Sequence, residues 1–125
     1  MRAFIPALFL IALVACAGAP APTPASIEAA LTSAGASAFV VNAKAGTVPQ
    51  SYTSHADFVI GDKAAQYFLC DTKKNCDAIY AYFDAFKALA GPYTYRSDSG
   101  LVVAQLNSEL TPDAAAKIAA AVKGL

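Results

Sequence analysis

The chain is short of the groups that most chemistry needs. It has one histidine, His55, and three cysteines in 125 residues. Cys70, Cys76 and His55 together leave a four-ligand zinc site incomplete. Lys and Arg number nine and Asp and Glu nine. Without a basic stripe nothing points to nucleic acid, and without a charge run nothing steers an ionic partner. Cys70 and Cys76 are spaced C-x5-C rather than C-x-x-C, a poor match to a redox motif. There is no G-x-S-x-G elbow, no D-x-D-x-D-G calcium loop and no internal repeat. The apolar run from Ala3 to Ala15 is too short to span a bilayer as a helix.

Two partial constellations remain. His55, with Ser51 or Ser54 and with Asp57, has the residue types of a hydrolytic triad. Such triads are defined by three-dimensional geometry, and an exposed loop histidine is the expectation here. Asp71, Asn75 and Asp77 are oxygen donors, but Lys73 and Lys74 sit in the middle of their loop, which sets calcium aside. No catalytic residue, metal site or cofactor is assigned, and the balance leans away from an enzyme.

What is present is organised around Cys70 to Gly91. Ile79, Tyr82, Phe83, Phe86, Leu89 and Ala90 recur at three- and four-residue steps, one broad apolar helical face. Asn75 is the expected N-cap, Asp77 places negative charge in the first turn, and Gly91-Pro92 is the stop. A Cys70–Cys76 disulfide would fix the strand-to-helix turn as a staple. The other reading is a thiol-disulfide enzyme, with Cys76 activated at a helix N-terminus.

Upstream, Ser26 is a candidate cap for the helix IEAALTSAG. Strands are expected at 37–42, 56–60 and 65–70, the last two forming a hairpin over Gly61-Asp62-Lys63. Downstream, 93–96 and 101–106 flank a second hairpin turn, and Thr111, Pro112 and Asp113 open a final helix with Ala115, Ile118, Ala119 and Val122 inside. The order α-β-β-β-α-β-β-α predicts an α+β domain over residues 26–125: a mostly antiparallel sheet of about five strands with helices packed on one face. Tyr52, Tyr80, Tyr93 and Tyr95 fall outside the clearest core positions and are candidate partner-binding residues. Ordinary packing on the sheet is the competing reading.

The N-terminus supplies an address. Met1-Arg2, the apolar run and Leu13-Val14-Ala15-Cys16 resemble the signal peptide and lipobox of bacterial lipoproteins. That resemblance implies cleavage after residue 15 and a lipid on Cys16. Cysteine arithmetic agrees, because pairing Cys70 with Cys76 leaves Cys16 as the odd one. An ordinary signal peptide with Cys16 incidental is the alternative. Losing Arg2 would leave eight basic residues against nine acidic ones, a near-neutral mature chain. Residues 16–25, the lipidated cysteine followed by AGAPAPTPA, read as an extended tether. The implied location is extracytoplasmic and lipid-anchored; in a cell with two membranes, Ala17 would favour the periplasmic side of the outer membrane. The expected partners are the membrane, through Cys16, and an envelope protein or small ligand. A thiol-disulfide redox protein and an exclusion or immunity lipoprotein are the alternatives.

Overall fold

The computed structural model describes residues 20–41 and 48–125. The expected signal peptide, Cys16 and the first part of the tether lie outside the described residues. The element order is α1 (Pro24–Ser33), β1 (Ala36–Val41), β2 (Ser54–Ile60), β3 (Lys63–Leu69), α2 (Lys73–Ala85), α3 (Lys87–Ala90), β4 (Thr94–Arg96), β5 (Val102–Leu106) and α4 (Pro112–Lys123). The five strands form one antiparallel sheet in the order β1-β2-β3-β5-β4. The α+β class, the strand count and the order of elements match the sequence reading, with the short α3 added.

The placement of the helices does not match. Alternate residues of a strand face opposite ways, and the central strands are apolar on both sides. Ala65, Tyr67, Leu69, Val102, Ala104 and Leu106 face a core closed by Ile27 and Leu31 of α1 and by Ala115, Ile118 and Val122 of α4. Phe68 and Val103 face the other way, onto Cys76, Ile79 and Phe83 of α2. The sheet therefore carries α1 and α4 on one face and α2 on the other, not helices on a single face. Val48 joins the α2 side.

Three caps are set by hydroxyl groups. Thr23, not Ser26, opens α1: its side chain accepts from the Ser26 backbone N–H at 3.1 Å, and the Ser26 hydroxyl accepts from the Thr23 N–H at 2.8 Å. With Pro24 in the first turn, this capping box turns the end of the expected tether into helix. Thr72, not Asn75, caps α2, accepting from the Asn75 N–H at 3.2 Å. Thr111 caps α4 as expected. The long helix expected up to Gly91 breaks at Phe86, the shared boundary of α2 and α3. The break resets the helical phase, so the stripe through Ile79 and Phe83 does not continue. Phe86 is 48% and Leu89 87% exposed.

The two sheet edges differ. On β1, Ser37 faces Val59 and Val40 faces Asp57, so Ala38 and Phe39 together oppose Phe58. This bulge places Ala38 at φ 56° and stacks Phe39 on Phe58 at 5.3 Å. The other edge, β4, is regular.

Candidate cleft at the β4 edge

The sequence makes β4 short. Gly91 ends α3 at φ 87°, and a Cβ there would lie 2.5 Å from Ser108 Cβ, so only glycine lets the chain pass into Pro92 and the strand. At the far end Ser97 Oγ accepts from Val102 N–H at 3.0 Å and closes the hairpin turn. The Tyr93 carbonyl accepts from Leu106 N–H at 2.9 Å, and Ser97 N–H donates to the Val102 carbonyl at 3.0 Å. Tyr95 lies opposite Ala104 between those two bonds. The antiparallel alternation then directs the N–H and C=O of Thr94 and Arg96 away from the sheet, into a cleft.

That cleft has a volume of about 430 Å³ and is bounded by elements from both layers. Tyr80 of α2 forms one wall, and Ala119 and Lys123 of α4 form the other, with Thr94, Tyr95 and Arg96 between them and Asp98 at one end. The Arg96 guanidinium pairs with Asp77 and lies 5.2 Å from the centroid of the Tyr80 ring. Burial, with a smaller contribution from Tyr93, raises the Tyr95 hydroxyl pKa above its ordinary value. Lys123 forms no ion pair among the described residues. Its carbonyl accepts from Asp98 N–H at 3.0 Å, tying the end of α4 to the hairpin turn. The result is a slot with a floor of main-chain hydrogen-bonding groups, one aromatic wall and one cationic wall.

Of the four tyrosines singled out in the sequence, the structure brings Tyr80 and Tyr95 together here. Tyr93 stacks on Tyr95 at 6.5 Å, and its hydroxyl donates to the Leu110 carbonyl at 3.3 Å. Tyr52 lies elsewhere, with its ring 5.3 Å from that of Phe68 and its hydroxyl donating to Gln50 at 3.0 Å. All four are half-buried. Arg96 and Lys123 were not singled out, because the sequence gives no sign that two helices converge on one strand edge.

His55 is a correction. It lies in β2 rather than a loop, is 2% exposed, and its ring centroid is 4.6 Å from that of Phe68. Its Nε2 is 2.9 Å from Gln66 Oε1, and the Gln66 amide donates to Gln105 Oε1 at 3.0 Å. The Gln105 amide donates in turn to the Ala90 carbonyl at 2.8 Å. This ladder crosses three strands and ties α3 to the sheet. Asp57 Oδ1 is 3.7 Å from the histidine, but Ser54 points to the opposite face and the Ser51 hydroxyl donates to the Asn75 carbonyl at 2.9 Å. The triad is not assembled.

Cys70 and Cys76 form a disulfide with Cα atoms 5.6 Å apart, joining the end of β3 to the first turns of α2. Both cysteines are buried, at 2% and 0% exposure. Asn75 donates to Asp71 at 2.7 Å, and Asp77 is engaged by Arg96. No described helix is long and apolar enough to cross a membrane. No protein-family model, curated protein or solved structure matches the chain.

Proposed function

We propose that this is a membrane-anchored extracytoplasmic lipoprotein whose α+β domain binds an envelope or extracellular component at the β4 cleft. The cleft carries the reading: it is where outward-directed main-chain groups, an aromatic ring and a lysine with no ion pair among the described residues meet. The disulfide supports an oxidising compartment, where such bonds persist. Its burial argues for a staple, because thiol exchange needs an attacking thiolate to reach a sulfur. Anchoring through Cys16 rests on the lipobox resemblance. With Thr23 as the helix cap, residues 17–23 remain for the tether, about 22 Å at the polyproline rise. The domain then works close to the bilayer.

The test is in-cell photo-crosslinking from position 80 or 95, with position 62, in the exposed β2–β3 turn, as control. A discrete adduct from the cleft positions and none from position 62 is the expected result. Equal labelling from all three would remove the cleft as the working surface.

A further inference from the structure

We infer that the ligand of the β4 cleft is an extended peptide segment carrying acidic side chains, added to the sheet as a sixth strand beside β4. This rests on the cleft being the binding surface and names what enters it.

Exposed sheet edges are templates for further pairing, and folded proteins usually blunt them. This sheet treats its two edges unequally. The β1 edge is bent by the bulge at Ala38. The β4 edge has no bulge and no proline within the strand, and its Thr94 and Arg96 main-chain groups point outward. Helices α2 and α4, on opposite faces, both pack on β4, so their walls stand where they would flank a further strand. Main-chain bonds would supply affinity there, and alternate side chains would supply selectivity.

The walls set that selectivity. Side chains of the added strand that point to the α4 side meet Lys123 and the small Ala119, which favours a carboxylate. Those on the other side meet Tyr80, with Arg96 over one face of its ring, and the ring carbons left to the cleft favour an apolar residue. Among the described residues that line the cleft, Asp98 is the one acidic group, and it lies outside the strand.

The experiment uses the full mature chain in detergent and two blocked pentapeptides, Ac-Val-Glu-Val-Glu-Val-NH2 and its Lys-for-Glu counterpart. Binding of the acidic peptide should slow amide exchange at Thr94 and Arg96 about tenfold or more, leaving Tyr95 unchanged. The basic peptide should bind about tenfold more weakly, and Lys123→Glu should reverse that preference. Thr94→Pro removes an outward N–H that the sheet does not use, so it should weaken peptide binding with the fold intact. Peptide binding without protection at Thr94 and Arg96 would overturn strand addition. Protection that rises with protein concentration alone would assign the sixth strand to a second copy instead. Failure of both peptides to bind, with the crosslink from the cleft still present, would reject a peptide ligand while leaving the binding surface in place.

Discussion

Arg96 on the edge strand pairs with Asp77 on α2, and that contact links one wall of the cleft to its floor. Both side chains are partly exposed, so the pair contributes less than about 1 kcal/mol. Asp77→Ala should therefore lower stability by no more than that, while freeing the guanidinium to face the cleft. Chemical denaturation checks this. A loss well above about 2 kcal/mol would mean that the pair holds α2 in place.

The disulfide should be worth more. Closing so short a ring stabilises the fold by about 2 kcal/mol in the chain-entropy model. Cys70→Ala with Cys76→Ala should lower the unfolding free energy by about that amount and leave the far-ultraviolet circular dichroism unchanged. Any cellular phenotype should track stability. A phenotype at full stability would revive thiol chemistry.

Tyr67 is buried in the core, and its hydroxyl has no hydrogen-bond partner among the described residues. Burial, with a smaller contribution from Glu28, pushes its pKa up to about 12. The folded state thus holds the proton more tightly than the unfolded chain does. Stability from this group is complete below about pH 10 and is lost as pH rises through about 12. Tyr67→Phe should flatten that decline and, by removing an unpaired buried hydroxyl, raise stability at pH 7 by about 1 kcal/mol. The Tyr95 pKa is raised as well, so part of the alkaline slope should remain. Thermal melts from pH 7 to 12 give both results. A destabilised Tyr67→Phe protein would show that the hydroxyl has a partner.

Gly91 combines a positive φ with contact on Ser108. Gly91→Ala should cost about 2 kcal/mol or more. Because Gly91 leads into β4, exchange should rise first at Tyr95. Unchanged stability would mean that the α3–β4 corner can shift.

Much of the fold was legible because local rules and tertiary packing agree. Thr111-Pro112-Asp113 opens α4 where the cap, the proline and the charge all ask for a helix start. Both hairpins form at their turn residues. The single-face error came from an unread signal. Tyr67-Phe68-Leu69 and Val102-Val103-Ala104 are continuous apolar runs, the mark of strands covered on both faces. Asn75 lost the cap of α2 to Thr72 because two cap-forming residues stood three apart and spacing could not choose between them. The cleft was beyond sequence reasoning. Tyr80, Arg96 and Lys123 come from three elements, and only the strand order places them on one edge.

Anchoring through Cys16 is tested most directly by the mass of the N-terminal peptide of the mature protein, purified from membranes. A peptide beginning at Cys16 and carrying a diacylglyceryl group is the predicted result, with Cys16→Ser released from the membrane fraction. A mature chain that begins elsewhere, or an unmodified Cys16 in protein that fractionates as Cys16→Ser does, would contradict it.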